Sequence, residues 1–245
     1  MKAKVGRQIA WAAAAALASG GALAQQAGDW VFGTGWIHLA PQDSSTPLTF
    51  TAPRPAVLFG SGANVSSSDT LGFSAHYFFN SNWAVEGVVG VPPRFSLYGT
   101  GTLAPVGELG TARQWSPAII GKYYFRDGGA EFRPYVGLGA AYVRYGSVSL
   151  TSGLQGSFDA RLGRPPGSTI TTASLDNSVV AVFNAGAAWQ LDRNWGISFS
   201  VSYLPLKSTA TLTTSAVGSG LPLARSQAGL KFNPITTYLS ATYRY

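Results

Sequence analysis

From residue 29 onward the sequence alternates strand-length stretches with connections that are short and long by strict turns, and few folds accept that layout. Eight stretches carry strand signals, near residues 29–40, 69–79, 83–93, 115–126, 132–145, 178–191, 195–206 and 234–245. Three connections are tight: "NSN" at 80–82, "DGGAE" at 127–131 and "LDRN" at 191–194. Each carries the Asn, Asp or Gly that hairpin turns favour. The other four are long, about 41–68, 94–114, 146–177 and 207–233. Unstructured connections of about 20 residues count against a compact soluble domain. In an up-and-down barrel they are expected, with short periplasmic turns, long external loops and both termini on the periplasmic side.

Alternation within the stretches is of period two. In the seventh, Trp195, Ile197, Phe199, Val201 and Tyr203 alternate with Gly196, Ser198, Ser200 and Ser202. Such a strand has two different surroundings, but a soluble sandwich and a membrane barrel both satisfy it. Composition and aromatic placement separate the two. Only 11% of residues are charged, against roughly a quarter in ordinary soluble domains. No apolar run of about 18 residues follows the N-terminus, which excludes spanning helices. Aromatics collect where the tight turns fall: Phe79 and Trp83, Phe125 and Phe132, Trp189 and Trp195, with Tyr243 and Tyr245 at the C-terminal end. A soluble core has no reason to do this, whereas a membrane interface does. Trp115, Tyr142, Tyr145 and Tyr203, at the opposite strand ends, are candidates for a second ring. The fold class expected is all-β, an eight-stranded antiparallel up-and-down transmembrane β-barrel.

The N-terminus reads as an export signal. Lys2, Lys4 and Arg7 precede the apolar "IAWAAAAALA", and "ALA" at Ala22–Ala24 has the small residues of a cleavage site. Residues 1–24 are then a cleaved signal peptide and 25–245 a single outer-membrane barrel domain. Cleavage removes three of the 17 basic residues, leaving 14 against 10 acidic, so the net charge falls from +7 to +4. With no Cys, the exported chain forgoes disulfides.

Parity along the strands gives an inner face. The turn "NSN" is centred on Ser81, which sets His76 opposite Glu86 across the first hairpin. Both lie opposite the apolar set of Leu71, Phe73, Trp83 and Val89, hence in the lumen. Lys122 and Arg244 share inward parity near the turn end, so a polar plug of His76, Glu86, Lys122 and Arg244 is expected low in the barrel. Its leading reading is structural charge pairing. Above it the inward residues Val88, Gly90, Ala118, Ile120, Val143, Val180 and Val182 are small and apolar. Eight strands leave room for side chains or one small ligand. A dry upper lumen over a charged floor points to access from outside and exit sideways.

Chemistry for turnover is missing. "GTG" at 33–35 and "GLG" at 137–139 lie within strands, and neither is followed by the Gly-Lys-Ser/Thr of a phosphate loop. His38, Asp43 and Ser44 form the one grouping worth weighing for catalysis, and a lone His near a strand end is more often interfacial. With two His and no Cys, no metal cluster is suggested and no cofactor is expected. In the four long loops, with the first counted on to Asp69, eight basic residues stand against five acidic ones. That excess suits phosphate-rich outer-leaflet lipid, and ordinary solvated loops account for it equally well. The basic residues are dispersed without a recognition motif, so no nucleic-acid partner is expected.

Five segments carry a resemblance. "FRPYVGLGAAYVRY" (132–145) resembles the Lys/Glu-Phe-Arg-Pro-Tyr-Val-Gly-x-Gly signature of the outer-membrane protein W (OmpW) family. "LGFSAHYFFNSNWAVEGVVGVPPRF" (71–95), "WSPAIIGKYYFRD" (115–127), "LDRNWGISFSVSYLPLKSTA" (191–210) and the terminal "ATYRY" resemble that family too, in the family's order. The resemblance implies an eight-stranded outer-membrane barrel that passively takes up small hydrophobic molecules with lateral release, like its alkane-uptake (AlkL-type) relatives, and the leading expectation is that it acts as a monomer. It also implies that the terminal aromatic strand is read by the barrel-assembly machinery. Ser202 and Val88 stand where family members can carry bulkier apolar side chains, which implies a wider or wetter cavity. The alternative is a structural or surface-interaction barrel whose loops bind lipopolysaccharide, host molecules or phage.

Overall fold

The computed structural model describes residues 25–245, so the expected signal peptide lies outside the described residues. Strand β1 (Trp30–Ala40) leads into four short strands, β2 (Ser44–Ser45), β3 (Thr49–Ala52), β4 (Ala56–Val57) and β5 (Ser61–Val65). Next come β6 (Ser68–Phe78), β7 (Trp83–Gly90), β8 (Arg94–Gly101), β9 (Glu108–Trp115), β10 (Ala118–Tyr124) and the long β11 (Phe132–Leu150). Helix α1 (Ser152–Arg161) separates β11 from β12 (Thr169–Leu175) and β13 (Ser178–Gln190). The chain ends with β14 (Trp195–Tyr203), β15 (Lys207–Ala216), β16 (Pro222–Lys231) and β17 (Ile235–Arg244).

Eight of these close a barrel in the order β1-β6-β7-β10-β11-β13-β14-β17, every pairing antiparallel, with β17 hydrogen-bonded back to β1. Closure leaves no free sheet edge in the membrane, where an unpaired backbone group would find no water. Side chains make the tight turns. The Asn80 Oδ1 accepts from the N–H groups of Asn82 (2.9 Å) and Trp83 (2.8 Å). Asp192 Oδ1 accepts likewise from Asn194 (2.8 Å) and Trp195 (2.7 Å). The large apolar residues Trp36, Leu71, Phe73, Ile119, Leu138 and Val179 cover the outer wall, as a lipid-facing surface requires.

Trp83, Phe125, Trp189, Trp195, Tyr243 and Tyr245 all stand exposed on the outside at the turn end. Several touch across strands, such as Phe132–Trp189 (4.7 Å between centroids) and Trp195–Tyr243 (5.0 Å). Trp115, Tyr142 and Tyr203 are exposed at the other end. Tyr145 departs from expectation. Its ring is inside, 5.9 Å from that of Phe232, because it shares the parity of the fully buried Val143.

The four long connections are largely ordered sheet rather than loop. Segments such as "STATLTTS" (208–215) hold the β-branched alternation of strands. Above the membrane, β11 continues into one sheet with β9, β8 and β5, while β12, β15, β16, β3 and β4, with β2 also paired to β16, form a second. Helix α1 roofs the space between, and Leu48, Leu103, Leu109, Leu154, Phe158 and Leu212 make its apolar core. Prolines mark the change of level. Pro92, Pro93, Pro117, Pro205 and Pro234 lie between the outer and membrane segments, where a missing N–H interrupts the ladder. This is why β7, β10 and β14 begin or end short of the stretches expected from the sequence.

Candidate functional site

The lumen is built as a stack, with its floor at the turn end. His76 and Glu86 are Cα partners across the first hairpin. Glu86 accepts at both oxygens, from His76 Nε2 (3.1 Å) and from Lys122 Nζ (2.6 Å). All three side chains are buried, with Lys122 only 1% exposed. An isolated charge there would be very costly, so the carboxylate and ammonium hold one another in place. Lys122 Nζ also lies 4.3 Å above the centre of the Tyr135 ring, and the Tyr135 hydroxyl lies 3.1 Å from Ser198 Oγ. Gly186, the Cα partner of Tyr135, makes room for that ring: a Cβ there would meet its Cζ and hydroxyl at 2.7 Å.

Beneath the charged layer the rings of Phe78, Tyr124 and Tyr135 pack together, with Tyr124 4.9 Å from Tyr135 and 5.3 Å from Phe78. Below them Arg133 stacks on Tyr124 at 4.6 Å and donates to Gln25 Oε1 and to the carbonyls of Ser81 and Arg126. The floor is therefore three layers thick. Sequence reasoning missed Arg133, Tyr124 and Tyr135, although each has inward parity on a strand that was recognised. Arg244 shares the lumen-facing row of His76, with Val31 between them, and its Nη2 reaches the Arg193 carbonyl at 2.5 Å.

Above the floor lies an inner cavity of about 90 Å³. It is lined by Val88, Gly90, Ala118, Ile120, Val182 and Ser202 from the expected set, together with Glu86, Asn184, Gln114 and Tyr238. It is more polar than the dry lumen expected, because β13 and β14 turn Asn184, Ser200 and Ser202 inward. Asn184 Nδ2 donates to Ser202 Oγ at 2.8 Å. Val143 and Val180 do not line this space. Val143 is fully buried against Leu206, Leu230 and Phe232, and Val180 packs beside them.

A neck of about 20 Å³, lined by Leu39, Val65, Phe95, Leu97, Tyr145 and Phe232 among others, stands above the inner cavity. Leu39, Gln114 and Pro234 belong to both neck and inner cavity, and Leu97 and Leu175 to both neck and a third space. That space is an outer chamber of about 90 Å³ beneath α1, walled by Leu48, Leu103, Leu109, Leu154, Phe158 and Leu212. Sequence reasoning missed this chamber, since residues expected to be loop form its walls.

The wall has a weak interval beside the inner cavity. Strands β7 and β10 pair up to Val88↔Ala118, and β8 and β9 resume at Arg94↔Arg113. Between them one backbone bond, Gln114 N–H to the Pro93 carbonyl (3.1 Å), crosses the interval. Gly90, Pro93, Gln114 and Ser116 from this interval all line the inner cavity.

His38 pairs with Asp69, Nδ1 to Oδ1 at 2.8 Å, not with Asp43, whose carboxylate instead accepts the Val65 N–H at 2.5 Å. The grouping of His38, Asp43 and Ser44 considered for catalysis is therefore not assembled. Among the described residues no cluster of His, Asp and Glu suited to a metal ion occurs.

Comparison with known proteins gives a consistent result. Outer membrane protein W of Vibrio cholerae serotype O1 is 30% identical over 204 residues, 82% of this chain and 85% of that protein. Outer membrane protein AlkL of Ectopseudomonas oleovorans is 27% identical over 180 residues, 74% of this chain and 67% of its own length. In fold, the crystal structure of the outer membrane protein OprG from Pseudomonas aeruginosa matches with a TM-score of 0.76 at 23% identity, covering 91% of this chain and 98% of OprG. Residues 26–245 match the OmpW family model. A closed eight-stranded barrel with a lipid-facing wall, a charged floor and chambers above it is thus an outer-membrane protein, and the chain belongs to the OmpW family.

Proposed function

We propose that the barrel takes up small hydrophobic molecules passively, from the outer chamber through the neck to the inner cavity, and releases them sideways into the membrane. One observation carries this reading: an apolar outer chamber and an inner cavity of mixed lining stand in series above a floor that is closed by buried charges and rings. Apolar solute gains by leaving water at about 25 cal/mol per Å² of surface buried, so the chambers attract it without an energy source. At the inner cavity the way down is charged and packed. The interval between Val89–Pro93 and Gln114–Pro117 offers the weaker wall, since one backbone bond crosses it. Reaching lipid there means separating little ladder. The polar plug serves as the seal that turns solute aside, and Arg244 supports it from the end of β17.

Uptake of a graded panel of hydrophobic compounds, by cells with and without the protein, tests this. Ala118→Phe and Val182→Phe fill the inner cavity, and each is expected to cut uptake of the larger compounds about tenfold or more while leaving the barrel folded. Unchanged uptake would refute the path. Glu86→Gln combined with Lys122→Met removes the floor's charges while leaving the inner cavity, which Glu86 also lines, nearly unchanged in size. Lateral release predicts unchanged hydrophobic uptake in that variant, whereas passage through the floor predicts a marked rise.

A further inference from the structure

Three arginines stand together on the outer wall just above the membrane. Strands β11, β9 and β8 are consecutive in their sheet, and Arg144, Arg113 and Arg94 lie on them with exposed side chains. Arg94 and Arg113 are Cα partners. Arg113 is paired on its other side with Gly146, and Arg144 with Trp115, one pleat nearer the membrane. Neighbouring strands are about 4.8 Å apart and successive outward residues about 6.6 Å, so the three side chains leave the wall within roughly 12 Å of one another.

Like charges directly opposed on a sheet destabilise it unless something compensates. No carboxylate among the described residues pairs with them. Among the described residues the ion pairs are His38–Asp69, His76–Glu86 and Lys122–Glu86. Asp69, on the neighbouring β6, is held by His38 and by the Trp36 Nε1–H. Glu108 pairs with Tyr98, farther out along the same strands.

The height of the cluster is informative. Trp115 and Tyr142 are exposed on the wall beside and beneath it, at the level where aromatic side chains meet the membrane interface. Lipid phosphates lie immediately above that level, and the planar guanidinium fork pairs with phosphate through two parallel hydrogen bonds. We propose that Arg94, Arg113 and Arg144 form a binding site for a phosphate group carried by an outer-leaflet lipid, whose acyl chains lie along Trp115 and Tyr142. The anion supplies the missing compensation, and the rings beneath supply a reason for the lipid-borne form over the free ion.

Native mass spectrometry of the folded barrel, released from micelles, gives the test. The probes are bis-phosphorylated lipid A, the same glycolipid without its phosphates, and inorganic phosphate. The triple variant Arg94→Gln/Arg113→Gln/Arg144→Gln is expected to bind phosphorylated lipid A about tenfold more weakly and to leave the dephosphorylated lipid unaffected. Arg161→Gln/Arg164→Gln, in and after the roof helix, removes charge elsewhere and should leave binding unchanged. Equal binding by parent and triple variant would overturn the proposal, as would an equal loss in the roof control. Displacement of the lipid by inorganic phosphate as effectively as by lipid A itself would reassign the site to a free anion. Should the triple variant not fold, Arg113→Lys keeps the charge but loses the fork, and a loss of about threefold is then expected. No loss in that variant would likewise count against the site.

Discussion

Glu86 is the residue on which the floor depends, because the Lys122 ammonium and the His76 ring converge on it from two different strands. Removing one member of such a buried pair strands the other. Lys122→Met should therefore lower stability by about 3–5 kcal/mol, measured by urea unfolding in vesicles. Adding Glu86→Gln to it should recover much of the loss, and equal destabilisation by the single and double variants would show that the pair is not coupled. The opposition of His76 and Glu86 was legible in the sequence, since a tight turn centred on Ser81 fixes the register arithmetically. The ring beneath Lys122 was not. Parity places Tyr135 inside, but only the three-dimensional closure of β10 onto β11, with Gly186 opposite, brings it under the ammonium.

Elements differ in how their order is secured. Helix α1 is a poorly amphipathic segment held by side chains to the strand after it. Gln155 makes a two-way bond with Thr171, donating to its carbonyl (2.9 Å) and accepting its N–H (2.7 Å). Asp159 accepts from the Thr169 hydroxyl (2.6 Å) and the Gly167 N–H (2.7 Å), and these bonds, the hydroxyl foremost, hold its carboxyl below the usual range. A lowered pKa in the folded state means the contribution is present above the unfolded value near 3.9 and lost as pH falls through the folded one. The Gly167 and Thr169 amides should accordingly lose hydrogen-exchange protection below about pH 4, and Asp159→Asn should flatten that dependence. At the other end of the chain, β17 pairs with both β1 and β14, and the Tyr245 N–H reaches the Trp30 carbonyl at 2.9 Å. Deleting Tyr245, or replacing it with Asp, should reduce assembled barrel in membranes far more than Arg244→Lys. Equal membrane levels would defeat the claim that the aromatic end is read by the assembly machinery. The eight membrane strands were readable because lipid on one side and lumen on the other enforce alternation. The outer strands were hidden, since their mixed polar faces resemble loop composition and their pairing partners lie as far apart in sequence as Ala52 and Arg225.

At the scale of the whole molecule the protein is asymmetric across the membrane. Its outer half is two sheets and a helix around apolar space, and its inner half is a barrel whose lower end is packed shut. The alternating connection lengths foretold the topology and its outer and inner ends, and the aromatic placement foretold a wall that meets a membrane. Neither could foretell chambers in series, which arise from two sheets that part above β11 and from the side chains that meet across the gap between them.

The three-layered floor has an electrical consequence. Ions cross a barrel through continuous water, and here the column is interrupted by Lys122 and Glu86, then by packed rings, then by Arg133 against Gln25. Reconstituted in planar bilayers, the protein should show no steady single-channel current in salt solution, and sustained open-channel conductance would contradict the packing of that floor. A cell could then carry many copies and widen its access to greasy solutes while the outer membrane's leak to salts stayed as it was.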